Sequence, residues 1–343
     1  MTHIKVMVGY KAEPEEWAVI EQNWPKECEI VAPKSWDEET IKRFVADVDV
    51  VVGNLPAEYL IYAPKLKLVH TTGHGVNAYL SSNVRQYLLE HKVLVLRASP
   101  AAIPISEFIM GNMVALTRRT WILHQNLAFR GNWSESIKAK RMKGSMGGEL
   151  YGSRLGIMGF GSIGQETAKR AKAFGMTIAT LTRNPQAVNQ AEFGLAACYS
   201  SKDERSIEEF LGRCDYLVNT MPLTAETRNF MNSERFAALK DGAYLVNISR
   251  GPIIVEEALW QALRSGKLAG AALDVWCCEE FPPELREYPL SKPVHQYNVI
   301  MTPHYAGATK EVRERALRTV GENLRRWLNH EPLINVADLN VGY

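Results

Sequence analysis

The hexapeptide Gly159-Phe160-Gly161-Ser162-Ile163-Gly164 follows without a gap on Leu155-Gly156-Ile157-Met158, a short apolar run that reads as a buried strand, and opens into a helical stretch ended by Gly175. A bare GxGxxG spacing says little, but one set between strand and helix says a great deal. Each glycine has a mechanical reason: Gly159 for a tight turn, Gly161 for backbone approach to a pyrophosphate, Gly164 for close packing of helix on strand. The helix start then offers free N–H groups and a positive dipole end to an anion. The whole turn, with Phe160, Ser162 and Ile163, is read as the phosphate seat of a dinucleotide. That reading requires a parallel βαβ fold.

The remainder of the chain is compatible with one. Strand-like runs recur near 155 to 158, 177 to 181, 216 to 219, 244 to 247, 270 to 273 and 298 to 301, alternating with helical stretches. Six parallel strands make a full doubly wound sheet. The first hundred residues show the same alternation, with strands near 4 to 8, 28 to 31, 48 to 52, 66 to 69 and 93 to 96 and helical pieces near 14 to 23, 37 to 46, 56 to 62 and 81 to 91. A chain of 343 residues exceeds the ~250 at which single cores stop growing, so two α/β domains are expected. A long apolar helical pattern from Ser106 through Phe108, Ile109, Met113 and Leu116 to about Phe129 can carry the chain from one to the other. The segment 131 to 148, with its basic stretch Lys138 to Lys143, reads as a surface loop. Beyond Thr309, apolar residues at Val312, Ala316, Val320, Leu324, Trp327 and Leu328 mark one face of a helix that returns to the first domain. The expected boundaries are 1–105 with 309–343 for the substrate domain and 106–308 for the cofactor domain.

Charge and cysteine usage narrow the partners. Forty basic and 38 acidic residues leave a net charge of +2, which gives no electrostatic reason for nucleic acid binding. No apolar run approaches the ~20 residues of a membrane-spanning helix. The five cysteines are an odd count without zinc spacing, and adjacent Cys277 and Cys278 cannot form an ordinary disulfide. No metal is expected. The balanced charge makes a small-molecule substrate the expectation, and Met1 runs almost directly into strand-like Ile4 to Val8, leaving no room for a leader, so a reducing cytoplasm is expected.

A nucleotide site that prefers NAD places Asp or Glu about twenty residues after the glycine turn, at the end of the next strand, to accept from the ribose 2′-OH. Here the strand ending at Leu181 is followed by Thr182-Arg183-Asn184, with no carboxylate. Thr182 and Asn184 can hydrogen-bond a 2′-phosphate and Arg183 can pair with its charge. NADPH is therefore favoured over NADH; the alternative is that Arg183 is a surface charge, or stacks on adenine in either cofactor.

Three later strand ends combine turn chemistry with ionisable residues: Val246-Asn247-Ile248-Ser249-Arg250-Gly251, Ala272-Leu273-Asp274-Val275 running into Glu279, and Met301-Thr302-Pro303-His304. Ligands of a doubly wound sheet bind beyond the carboxyl ends of its strands, so Arg250, Glu279 and His304 are expected to converge there. A guanidinium at Arg250 can hold a carboxylate and carbonyl oxygen in a fork, while cationic His304 can give a proton to that oxygen. Glu279 would orient the imidazole and raise its pKa by charge proximity.

The runs GFGSIG, NISRGPIIVEEAL, GKLAGAALDV and TPHYAG resemble the D-isomer-specific 2-hydroxyacid dehydrogenase family, over almost the whole chain and most specifically between Leu155 and Gly307. The resemblance implies a Rossmann cofactor domain inserted in a flavodoxin-like substrate domain, and a homodimer formed through the cofactor domains with the helix from Ser106 at the interface. It implies that Arg250, Glu279 and His304 form the catalytic triad and that Asp274 lies near the nicotinamide. It further implies that Thr220, Met221, Pro222, Ile248, Ser249 and Gly307 line the cofactor. Upstream, Thr72-Gly73-His74-Gly75-Val76-Asn77 is similar to the family loop whose backbone N–H groups bind the substrate carboxylate. His74 there is either a substrate contact or a turn residue with a solvent-facing ring. Asn54 and Leu55, after the strand ending at Val52, are expected on the substrate side, and Trp133 either packs in its own subunit or reaches into a neighbour.

Two departures from the family pattern matter. Asn77 stands where relatives usually have Asp, and Cys277-Cys278-Glu279-Glu280-Phe281-Pro282-Pro283 replaces a Glu followed at once by Pro. Spacing from Asp274 selects Glu279, with Glu280 as the substitute, and a carboxylate here argues against formate oxidation. The implied activity is NADPH-dependent reduction of a small 2-keto acid, glyoxylate- or hydroxypyruvate-like, to the D-2-hydroxy acid. Its alternatives are NAD-dependent oxidation of such an acid and a dinucleotide-sensing, corepressor-like binding role.

Overall fold

The computed structural model describes residues 4–131, 133, 147–277 and 291–340. The chain divides into two compact units, Met1–Ala101 with Ala308–Tyr343, and Ala102–Gly307. In the first unit, strands β1 (Ile4–Val8), β2 (Cys28–Val31), β3 (Val50–Val52), β4 (Leu68–Thr71) and β5 (Leu94–Arg97) alternate with helices α1 (Pro14–Asn23), α2 (Glu38–Val45) and α3 (Ser82–Glu90). The helical piece expected at 56 to 62 is a 3-10 turn, Ala57–Tyr62. All strand pairs are parallel, in the order β2-β1-β3-β4-β5, the flavodoxin-like order.

The strands are largely apolar, with Lys5, Glu29 and Arg97 their charged residues, because both faces of this sheet are covered. Val6 and Val8 pack with Ile20 of α1 on one side, whereas Met7 between them packs with Ile41 and Val45 of α2 on the other. The last helix of the chain belongs to this unit and covers the α1 face through Leu317, Val320 and Leu324. Gly321 of that helix permits the approach, since a Cβ there would lie 2.6 Å from the Asn23 carbonyl oxygen.

The second unit begins with two helices, α4 (Ala102–Arg118) and α5 (Thr120–Ala128), where the sequence suggests one from Ser106 to Phe129. The break is at Arg119, whose φ of 53° is left-handed and interrupts the helical hydrogen bonds. The early start includes Pro104, which a first helical turn tolerates because its N–H would lack a partner anyway. The strands are β6 (Arg154–Met158), β7 (Thr177–Thr182), β8 (Leu195–Ser200), β9 (Tyr216–Asn219), β10 (Ala243–Asn247), β11 (Leu268–Leu273) and β12 (Val299–Met301). Between them lie α6 (Ser162–Ala173), α7 (Gln190–Phe193), α8 (Glu204–Gly212), α9 (Ser233–Ala238) and α10 (Glu256–Arg264), and the first unit's closing helix is α11 (Lys310–Leu328).

The sheet has seven parallel strands rather than the six expected, in the order β12-β11-β10-β9-β6-β7-β8. The extra strand, β8, pairs with β7 at the edge and is only half-buried along most of its length. The order reverses between β6 and β9, where the chain leaves β6 into the glycine turn. No helix among the described residues is long and apolar enough to cross a membrane.

One buried pair fastens α11 to the first sheet. His70 of β4 is fully buried; its Nδ1 lies 2.9 Å from the Thr71 carbonyl oxygen and its Nε2 2.9 Å from Asn323 Nδ2, so the neutral Nδ1–H tautomer satisfies both. Asn323 also bonds both backbone groups of Ile334. Burial pushes the His70 pKa down to about 4, against the smaller upward pull of the Thr71 bond. Because the unfolded chain takes up this proton near its ordinary value of 6.5 and the folded chain does not, stability is full above that value and declines as pH falls toward 4. Between pH 7 and 5 the wild type should lose about 2 kcal/mol that His70→Gln does not lose, as read from denaturant unfolding at both pH values. Parallel losses in the two proteins would refute this account.

Candidate active site

The glycine turn is built as its spacing requires. Gly159 has φ of 84°, and a Cβ there would sit 3.0 Å from the Met221 backbone nitrogen. A Cβ on Gly164 would sit 2.7 Å from the Gly159 carbonyl oxygen, so α6 lies directly on the turn. A Cβ on Gly161 would meet nothing within 4 Å. The open side of the turn is therefore at Gly161, the N-cap of α6, which carries no side-chain cap over the helix start. Uncapped N–H groups at a helix start favour an anion. The residues present fit a dinucleotide pyrophosphate. The Thr220 hydroxyl donates to the carbonyl oxygens of Met158 and Gly159, at 3.0 and 2.9 Å, bracing the turn against the end of β9. Phe160 stands edge-on to Phe193, and Ser162 and Ile163 begin α6.

Thr182 ends β7 half-buried, Arg183 lies 4.0 Å from the Glu226 carboxylate, and Asn184 is exposed before the 3-10 turn Pro185–Ala187. No carboxylate ends this strand. The unforeseen β8 runs alongside: Ser200 is the register partner of Thr182, and the Ser201 N–H donates to the Thr182 carbonyl.

The ends of β9 and β10 are joined by a buried polar network. Asn219 Nδ2 donates to Asn247 Oδ1 at 3.0 Å, and Asn219 Oδ1 accepts from the Met221 N–H. Asn247 Oδ1 also accepts from the Ser249 N–H, and its Nδ2 donates to the Arg250 carbonyl at 3.4 Å. The Ser249 hydroxyl donates to the Met221 carbonyl. Ile248 and Met221 are buried, Pro222 exposed and Gly307 half-buried. Arg250, half-buried, projects from this network with Nη1 on the Ser249 carbonyl at 2.7 Å. Sequence reasoning missed the two asparagines. The signal was present, since the tetrapeptide Tyr-Leu-Val-Asn occurs twice, as Tyr216–Asn219 and Tyr244–Asn247, and the copies pair in register.

His304 lies three residues past β12, exposed, with φ of 57°. The carboxylate of Asp274, the residue after β11, is 1 % exposed and accepts from the Thr302 hydroxyl and from the N–H groups of Tyr305 and Ala306. Glu279 and Glu280 lie outside the described residues, as do Cys278 and Lys138 to Lys143. Trp133 is described and 63 % exposed.

In the first unit, Asn54 is exposed after β3 and Gly75 is exposed in the loop after β4, whereas the side chains of Leu55 and Val76 are buried in the core beside Tyr79. The Leu55 side chain thus faces inward. The reading of His74 as a solvent-facing turn residue also changes: its ring is half-buried and Nε2 accepts from the Ala101 N–H at 3.0 Å. Among the described residues, the N–H groups of Gly75 and Val76 have no protein acceptor.

Residues 110–306 match the family model for the D-isomer specific 2-hydroxyacid dehydrogenase NAD binding domain. The chain is 32 % identical over 312 residues to a glyoxylate reductase of Thermococcus kodakarensis, covering 90 % of this chain and 86 % of that one. It is 34 % identical over 308 residues to a D-3-phosphoglycerate dehydrogenase of Methanocaldococcus jannaschii, covering 88 % of this chain but only 54 % of that longer enzyme. In fold it is similar, at a TM-score of 0.77, 24 % identity and full coverage of both chains, to a D-isomer specific 2-hydroxyacid dehydrogenase of Xanthobacter autotrophicus solved with NADPH and MES.

Proposed function

The chain belongs to the D-isomer specific 2-hydroxyacid dehydrogenase family, and on that footing we propose that it reduces a small 2-keto acid, glyoxylate- or hydroxypyruvate-like, to the D-2-hydroxy acid with NADPH as the preferred cofactor. The observation that carries the reading is topological. The glycine turn, Arg250 and His304 all follow carboxyl ends of strands in one parallel sheet, β6, β10 and β12.

The cofactor's reduced nicotinamide, when bound, supplies the hydride. The Gly159–Gly164 turn takes its pyrophosphate, Thr182, Arg183 and Asn184 its 2′-phosphate, and Thr220, Met221, Pro222, Ile248, Ser249 and Gly307 its remaining length. Arg250 forks the substrate's carboxylate and carbonyl oxygens and holds the carbonyl carbon in one orientation. Imidazolium His304 releases a proton to the carbonyl oxygen as that carbon is reduced, and takes up another from solvent. Glu279 orients the imidazole.

Purified protein mixed with NADPH and glyoxylate, hydroxypyruvate, pyruvate or phenylpyruvate should consume reduced nicotinamide with at least one of them. Tight cofactor binding without turnover on any would overturn the enzyme reading and favour a sensing role. For the cofactor, the double change Thr182→Asp with Arg183→Ala should lower the NADPH-to-NADH ratio of kcat/KM by about 10²-fold, the effect of losing a charge-assisted pair and adding a repulsive carboxylate. An unchanged ratio would refute this account of 2′-phosphate recognition.

We further propose a homodimer through α4 and α5. Helix α5 buries no residue of its own, and Leu123, Leu127 and Phe129 are large apolar side chains left exposed there. The thiols of Cys28, Cys198 and Cys214, which form no disulfide among the described residues, are compatible with the cytoplasmic location that we also propose.

A further inference from the structure

We propose that Asp274 is a positioning residue: its carboxylate holds the turn that carries His304. The inference rests on reading His304 as the proton donor, but the clamp itself is a property of the protein alone.

A non-glycine residue in the left-handed region costs on the order of 1–3 kcal/mol and persists only where its surroundings impose it. His304 is such a residue, with φ of 57°. Its own N–H donates to the Asp274 carbonyl at 2.8 Å. On the far side, the N–H groups of Tyr305 and Ala306 converge on the two oxygens of the Asp274 carboxylate, at 2.7 Å to Oδ1 and 2.8 Å to Oδ2. On the near side, the Thr302 hydroxyl donates to Oδ1 at 2.5 Å. One side chain thus grips the chain before and after His304. Successive N–H groups pointing at one anion is what a left-handed residue inside a turn makes geometrically available.

The site of the carboxylate fits this role. Asp274 is 1 % exposed, and a buried carboxylate is tolerated only where donors satisfy it. Both oxygens have donors within the His304 segment. The aspartate is itself fixed, because its N–H donates to the Asn247 carbonyl at 3.0 Å. Trp276 Nε1 donates to the Thr302 carbonyl at 3.0 Å and pins the same segment from the other side. The connection runs from β10 through Asp274 to the turn after β12, so the strand end that bears Arg250 also sets the backbone of His304.

Asparagine has the shape of aspartate but one acceptor oxygen, so Asp274→Asn must present an NH2 group to a backbone N–H. Thr302→Val removes only the hydroxyl donor and leaves the carboxylate. In the cofactor-free protein, hydrogen exchange of the Tyr305 and Ala306 amides should accelerate at least about tenfold in Asp274→Asn, with the Gly159–Gly164 segment unchanged. Thr302→Val should act in the same direction and more weakly, and it carries the exchange test if the first variant does not fold. In turnover, Asp274→Asn should lose about 10²-fold in kcat at saturating substrate, the effect of a misplaced acid, while the NADPH Kd stays within about threefold.

Unchanged exchange at Tyr305 and Ala306 in the folded Asp274→Asn variant would overturn the proposal. So would a kcat preserved at saturating substrate and cofactor, which would show that the clamp does not position the acid. A wild type inactive on every keto acid would sink the functional reading while leaving the exchange result to decide the clamp.

Discussion

Asparagine in place of His304 should lower kcat for keto-acid reduction by about 10²–10⁴-fold, the span of general acid catalysis, with the NADPH Kd within about twofold of wild type. Asparagine is chosen because it tolerates the left-handed backbone better than alanine, so the turn survives while the titratable ring is lost. The reasoning is one of charge. Hydride delivered to a carbonyl carbon leaves an oxygen that must be protonated as it forms; without His304 only water can do so. The residue is exposed, so its removal should leave no core cavity and little change in the thermal midpoint. Equal losses in turnover and cofactor affinity would make His304 a structural residue, and a loss in kcat below about tenfold would place the acid elsewhere.

How much of this was legible in the sequence differs from link to link. The glycine turn could be read because its demands are local: φ above zero at Gly159, and a missing Cβ where α6 meets the Gly159 carbonyl. The strands of the first unit could be read because they are short β-branched runs buried on both faces, such as Val50-Val51-Val52. Strand β8, Leu-Ala-Ala-Cys-Tyr-Ser, was not legible, since its small residues carry weak strand preference and its half-buried edge position imposes no clear pattern. The break at Arg119 left no signal either, because neither glycine nor proline marks it.

At the site, residue type and strand-end position were enough to nominate Arg250 and His304. They could not show what holds them. Asn219 and Asn247 look like ordinary ends of apolar strands until the register sets them side by side. Asp274 looks like a lone acid at a strand end until its oxygens are found on Tyr305 and Ala306. Such roles depend on contacts across 28 to 32 residues of chain, which no local pattern encodes.

The same distinction predicts opposite outcomes for one substitution at two glycines. Gly251→Ala should cost about 3 kcal/mol of stability and about 10²-fold in kcat/KM, whereas Gly161→Ala should leave the thermal midpoint near wild type and weaken NADPH binding. At Gly251 an added Cβ would fall well under 3.0 Å from the backbone carbon and oxygen of Trp276 and the nitrogen of Cys277. Backbone cannot yield by changing rotamer, so the segment after β10 and the segment after β11 would have to part. Arg250 sits on the first, and the second leads toward Glu279, so the separation would misplace the proposed substrate fork and the proposed partner of His304 even in molecules that fold. At Gly161 a Cβ meets nothing within 4 Å, and φ of −81° suits alanine, so the protein itself has no objection. Only a ligand seated against the turn would feel it. A wild-type midpoint for Gly251→Ala would show that the strand ends are not in rigid contact. An unaltered NADPH Kd for Gly161→Ala would remove the pyrophosphate from the turn and, with it, the footing of the cofactor assignment.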